Sequence, residues 1–146
     1  MKEWWKKKRR NNQDLLFAAE YGDINEVKSL VDKDGPLGDL IADINTRGLD
    51  QWTPLHFAAN ENKLDIVQFL LSHPEIEIDA TSTIGRTPLH LASIRGHMNI
   101  VRTLVSKGAN KNAKDFDEST PLHHASEFGH FEVIIFLIKE AFADAT

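Results

Sequence analysis

The sequence contains no cysteine, so it forms neither disulfides nor thiolate zinc sites, and a cytoplasmic or nuclear setting is expected. No stretch approaches the ~18 consecutive apolar residues of a membrane span, and the N-terminus lacks the apolar run of a secretory signal. Also missing are a phosphate-binding loop, a nucleophile elbow and a carboxylate pair with an identifiable base. With none of this machinery, no catalytic residue, cofactor or small-molecule substrate is expected, and the chain is read as not an enzyme.

Positive charge is scarce outside one segment. The net charge is −5, yet residues 2 to 10 hold six of the 17 basic residues (Lys2, Lys6, Lys7, Lys8, Arg9, Arg10) against one acid, Glu3. The remainder therefore carries a net of about −10. An acidic body of this kind is a poor general nucleic-acid binder, because phosphate contacts need cations, and no specific nucleic acid is expected as a partner.

What is present is a repeat. Thr53-Pro54-Leu55-His56 recurs as Thr87-Pro88-Leu89-His90 and as Thr120-Pro121-Leu122-His123, at spacings of 34 and 33 residues. Each copy predicts a helix start: a Thr hydroxyl suited to N-capping, then Pro at the first helical position, where its missing N–H is no loss. Each is followed by a short apolar helix, a turn (Asn62, Gly96-His97, Gly129-His130) and a second apolar helix. Small residues in the Leu-x-x-Ala stretches at Ala58, Ala92 and Ala125 let neighbouring helices approach closely. A degenerate copy lies upstream, where Leu15-Leu16-Phe17-Ala18-Ala19 precedes Tyr21-Gly22-Asp23 and Val27, Leu30 and Val31.

This period and these four residues resemble the ankyrin-repeat family. The resemblance implies an all-α solenoid of stacked helix-turn-helix units with hairpin-like tips. It covers residues 13–146, in repeats at approximately 13–46, 47–80, 81–114 and 115–146, after a basic and aromatic leader at 1–12. Four units exceed the minimum of about three that such stacks need, so the chain is expected to fold alone. The first copy is atypical, as a terminal repeat is expected to be.

Four departures stand out. The leader, with Trp4-Trp5 and five consecutive cations, has no period that gives it a place in the stack. It reads as a nuclear-import address, an anionic-membrane contact or a nucleic-acid arm. The alternatives are a solvated leader or a helix covering the open first repeat with Trp4 or Trp5. About seven residues are inserted at Asp34 to Leu40, where Gly-Pro and Gly-Asp predict a surface loop. That insertion reads as tolerated length variation or as a private partner contact. Of the Gly two residues before each Thr-Pro, where a left-handed backbone is needed, only Gly85 is kept, Gln51 and Glu118 replacing the others. The last helix, Phe131 to Ile138, is apolar nearly all round, with Ile135 where other copies place Gln68 and Arg102. Its apolar face and the closing Ala143-Asp144-Ala145-Thr146, which resembles a lead into another repeat, make the chain read as a piece of a longer protein or as packed on a partner there.

The resemblance also implies where a partner meets the stack: on a concave side made by the tips before each Thr-Pro and the late positions of each first helix. Matched residue by residue, the candidate protein-binding residues are Tyr21, Leu49, Trp52, Ile84, Arg86, Ile94, Arg95, Phe116 and Phe128. Aromatics, aliphatics and Arg are the types enriched at binding hot spots. Trp52 and Phe128 also fit a packing role between repeats, whereas Ile84, Ile94 and Phe116 have no obvious neighbour in the repeat pattern. The aligned histidines, His56, His90 and His123 with His97 and His130, are expected about one repeat apart. They should bond turn backbone and capping Thr rather than converge on a metal.

The function expected is non-catalytic protein–protein interaction, as a scaffold or recognition segment binding a protein partner. The alternatives are a substrate-recruiting or regulatory segment of a larger enzyme or channel, and membrane or nucleic-acid attachment through the leader. Membrane contact is confined to that basic segment.

Overall fold

The computed structural model describes residues 3–145, which form eight α-helices and, among the described residues, no β-strand. They are α1 (Trp4–Tyr21), α2 (Ile24–Val31), α3 (Pro54–Asn60), α4 (Leu64–Leu71), α5 (Pro88–Arg95), α6 (Met98–Ser106), α7 (Pro121–Glu127) and α8 (Phe131–Ala145). The first helices α1, α3, α5 and α7 pack side by side in one layer, and α2, α4, α6 and α8 in the other. Between the layers runs one apolar core, built in each unit from the same places: Leu15 and Leu30; Leu55, Ile66 and Leu70; Leu89, Ile100 and Leu104; Val133 and Leu137. Each fully buried side chain contributes about 1.5–3 kcal/mol against chain entropy.

The Thr-Pro-Leu-His copies form three identical helix caps. In the first, Thr53 Oγ1 accepts the His56 N–H, while His56 Nδ1 accepts the Thr53 N–H at 3.1 Å. Because Nδ1 is an acceptor there, the ring proton sits on Nε2, which donates to the Arg86 carbonyl of the next repeat at 2.9 Å. His90 repeats the arrangement onto Ser119 O at 2.9 Å. Each motif thus caps its own helix, and the first two tie it to the following unit. His97 and His130 reach the other way, to Asn60 O and Ile94 O of the preceding units at 3.0 and 2.7 Å.

The tips close by Gly48 N–H to Trp52 O, Ser82 N–H to Arg86 O and Asp115 N–H to Ser119 O, and successive tips are linked by Thr83 N–H to Asp50 O and Phe116 N–H to Ile84 O. Gln51 (φ 63°) and Glu118 (φ 61°) adopt the left-handed conformation that Gly85 (φ 79°) adopts in the middle tip, at the cost of strain, and the first tip differs in shape because Asp50 (φ 56°) is left-handed as well. Gly85 has a second reason to be glycine: a Cβ there would come 2.6 Å from the Phe116 ring, which lies across it.

One expectation is corrected. The segment from Ala143, read as a lead into another repeat, continues α8 to Ala145, because no Gly or Pro interrupts residues 131–145 as Gly108 stops the helix in the preceding unit. Lys111 pairs with Asp144 and holds that last turn. The leader takes the alternative in which it extends the first repeat: it is helical from Trp4 and continuous with the first helix of that repeat. The insertion, a surface loop as expected, contains a short 3-10 turn, Gly38–Leu40, and is bonded to that helix through Asn11.

Candidate functional site

The three tips put one apolar side chain each into solvent. Leu49 is 83% exposed, Ile84 50% and Phe116 75%. Aliphatic and aromatic groups in this state gain by burial in a complex, about 1.5–3 kcal/mol when fully covered. Ile84 and Phe116 are held in register by the backbone bond between their tips. Trp52, Ile84 and Arg86 line one cleft with Asp50, Ser82, Thr83 and Leu91. Leu49 and Phe128 are not among its walls.

Trp52 is half-buried. Its ring lies 5.0 Å from Phe57 and 6.1 Å, roughly stacked, from His56, so part of it is packing and only its outer edge is available. Arg86 is half-buried too, its Nε 3.6 Å from Asp115 Oδ2. Ile94 is half-buried and its carbonyl is taken by His130, which gives it the neighbour that the repeat pattern did not suggest. Phe116 likewise has a neighbour, Gly85, although most of its ring remains exposed. Arg95 is exposed, its Nε donating to Asn60 Oδ1 at 3.1 Å. Tyr21 and Phe128 are exposed at the ends of α1 and α7.

Phe17, which sequence reasoning passed over, is exposed and packs against Tyr21 in a tilted arrangement with ring centroids 4.5 Å apart. The signal was available: Phe17 occupies the place of Phe57, which Trp52 covers, and the first repeat has no tip to supply such a cover.

The histidines follow the expected pattern with one exception. His56, His90 and His123 do lie one to a repeat, but His124 comes against His90, with ring centroids 5.6 Å apart, and both meet Asp115. His124 Nε2 is 2.7 Å from Asp115 Oδ2. Burial alone would raise the Asp115 carboxyl; the His124 hydrogen bond, with the Ser119 and Asp117 N–H groups, holds it below its ordinary range. Burial pushes His90 down and His56 down to about 4, so both are neutral at pH 7. One ligand atom from each of His90, Asp115 and His124 lies within 4.8 Å of the others. A cation there would compete with the Arg86 guanidinium for the same carboxylate oxygen and would take His90 Nε2 from Ser119 O. The cluster is suited to joining tip, helix and neighbouring repeat.

The face of the fourth repeat is unfinished. His56 and His90 are fully buried, but His123 is exposed, and among the described residues its Nε2 has no partner. A Cβ on Gly96 would strike the His130 ring, whereas one on Gly129 would meet nothing. Beside them Phe131, Ile135, Ile138 and Phe142 expose apolar surface along α8.

Against known proteins, a family model described as ankyrin repeats in three copies matches residues 5–82 and 75–146. The chain is 31% identical over 97 residues to the 26S proteasome non-ATPase regulatory subunit 10 of Dictyostelium discoideum, covering 66% of this chain and 39% of that protein. It is 35% identical over 106 residues to the human ankyrin repeat and SOCS box protein 3, covering 71% and 19%. It is 30% identical over 102 residues to the palmitoyltransferase Hip14 of Drosophila melanogaster, covering 70% and 15%. The match thus spans well under half the length of these relatives.

Proposed function

Because the chain belongs to the ankyrin-repeat family, we propose that it is a non-catalytic protein-binding module, a scaffold or recognition segment that holds a protein partner on the concave side of its tips and first helices. The observation that carries this reading is the row Leu49, Ile84 and Phe116, one exposed apolar side chain on each successive tip, beside the cleft of Trp52 and Arg86. A contiguous exposed apolar row flanked by Arg is the composition of an interaction site. Tyr21, Ile94, Arg95 and Phe128 extend it along the ends of the first helices. The cysteine-free composition fits the cytoplasm or nucleus.

The test compares affinity capture by the intact chain with capture by the Leu49→Ser/Ile84→Ser/Phe116→Ser variant, followed by direct titration of each purified protein that is lost. A partner lost with the variant while thermal unfolding is unchanged supports the reading. Equal capture by both chains overturns it.

A second reading, that these repeats are the recruiting part of a larger protein such as an enzyme or channel, is favoured by the unfinished face at His123. Two of three otherwise identical histidines find a carbonyl in the next unit. The third offers the same donor, next to the exposed apolar side of α8. Appending a copy of residues 81–114 after α8 should bury His123 and raise Tm by several degrees; an unchanged Tm counts against it.

A further inference from the structure

The added helix and the insertion are where the first repeat departs from the others, and the structure packs one on the other. The place of Pro54 falls at Asp14, so residues 4–13 are extra helix, about 15 Å long. Asn11 Nδ2 donates to Leu40 O at 2.7 Å, and Asn12 Oδ1 accepts the Asp43 N–H at 2.8 Å. Leu40 also meets Trp4 and Lys7 around a shallow cleft. The insertion is a buttress that fixes the direction of the helix.

That helix carries five consecutive cations, Lys6 to Arg10, behind Trp4 and Trp5, both about half exposed. Among the described residues only Lys6 pairs with an acid, Glu3, at 3.9 Å and in solvent. The Lys8 and Lys6 ammonium groups lie 5.0 and 5.6 Å from the Trp4 and Trp5 rings. Lys6 and Lys7 lie in the first turn, at the positive end of the helix dipole, where the only acid is Glu3 at the N-cap. The arrangement works against the helix, and an external anion reverses that.

We propose that this buttressed helix docks end-on to an anionic phospholipid surface, with Trp4 and Trp5 at headgroup level and the cations on the phosphates. Five consecutive residues at 100° steps ring the helix axis. A ring suits a plane of charge met by the helix end, whereas a nucleic-acid groove is read by one face. Paired tryptophans at the outermost turn suit the membrane interface. The acidic repeats are repelled by any polyanion, but about 15 Å of helix exceeds the ~8 Å screening length at physiological salt. The repeats beyond residue 13 therefore stand clear of a membrane met by the helix end, with Leu40 of the insertion beside Trp4 and Lys7 at its rim, whereas a duplex lying along the helix would meet them. No described helix is long and apolar enough to cross a bilayer, so the contact is peripheral, reversible and salt-sensitive.

Sedimentation of the whole chain with vesicles containing about a quarter phosphatidylserine tests this. Binding should exceed that to pure phosphatidylcholine by at least about tenfold and weaken with added salt. The Lys6→Gln/Arg9→Gln/Arg10→Gln variant should lose it by a similar factor, with Tm unchanged or slightly raised. A blue shift of tryptophan emission should survive Trp52→Phe and vanish in Trp4→Phe/Trp5→Phe. Equal binding to both vesicle types, retained binding by the charge variant, or tighter binding to a short DNA duplex than to vesicles overturns the proposal. So does a fall in Tm of the charge variant, which would make the segment a structural cap.

Discussion

His124 Nε2 lies 2.7 Å from Asp115 Oδ2, with the two side chains 5% and 1% exposed, and this buried pair joins α7 to the tip that precedes it. The other carboxylate oxygen accepts the Asp117 and Ser119 N–H groups, and Arg86 of the previous unit stands 3.6 Å from Oδ2. One carboxylate therefore holds a tip, a helix and an adjacent repeat. Asp115→Ala leaves His124 without its hydrogen-bond partner, Arg86 without its counter-charge and two tip N–H groups unpaired, a loss expected at about 3–5 kcal/mol in urea unfolding. Asp115→Asn keeps the N–H acceptor and should lose about half as much. Equal losses would show that the charge itself is not used.

Stability should fall with acid in two steps. His56 has an ordinary value of 6.5 and stands at about 4 in the fold, and His90 is lowered in the same direction. The unfolded chain takes up these protons first. Their contribution is complete above pH 6.5 and is lost as pH falls below it, for His56 down to about 4, with a slope of up to about 1.4 kcal/mol per pH unit for each. Protonation also puts an N–H on Nδ1, against the Thr N–H it accepts. Asp115 is lowered from 3.8, so its contribution goes only below that value. Urea midpoints between pH 7 and 4.5 check this; a flat profile would mean that the histidines are not held neutral.

The histidine ladder predicts unequal effects from equal substitutions. His90→Ala removes a fully buried ring, a cap and the bond to Ser119 O, and should destabilise by about 2–4 kcal/mol. His123→Ala removes a cap alone, on an exposed face, and should cost about 1 kcal/mol or less. Thermal unfolding of the two variants decides it, and equal costs would mean that the inter-repeat bond contributes nothing.

Much of this was legible because it is periodic. The caps, the histidine bonds to turn backbone and the left-handed tips follow from Thr-Pro-Leu-His at a fixed spacing, and so do the exposed apolar tips. What was not legible depends on one-off contacts. His124 and Asp115 are nine residues apart, a spacing that no other repeat shares. Asn11 and Leu40, 29 apart, belong to two segments that each look like irregular additions until they are seen to pack together. Phe17 is visible as an exposed aromatic only once the missing tip of the first repeat is noticed. The length of α8 could have been read from the lack of Gly and Pro, but the likeness of Ala143-Asp144 to an inter-repeat segment pointed the other way.

The tips offer a test in which one residue type has opposite effects at matched positions. Gln51 and Glu118 hold φ near +60° with side chains in solvent, so Gln51→Gly and Glu118→Gly relieve strain and should each stabilise by about 0.5–1 kcal/mol. Gly85 has the same backbone conformation but no room, since a Cβ would come 2.6 Å from Phe116 Cδ1. Gly85→Ala therefore combines backbone strain with displacement of the Phe116 ring, and should cost about 2 kcal/mol or more. If the strain alone mattered, Gly85→Ala/Phe116→Ala would be no better than Gly85→Ala. If the collision matters, removing the ring recovers part of the loss, and a urea double-mutant cycle reads the difference directly. The same cycle reports on the site, because the ring that Gly85 accommodates is one of the three apolar anchors proposed to meet the partner.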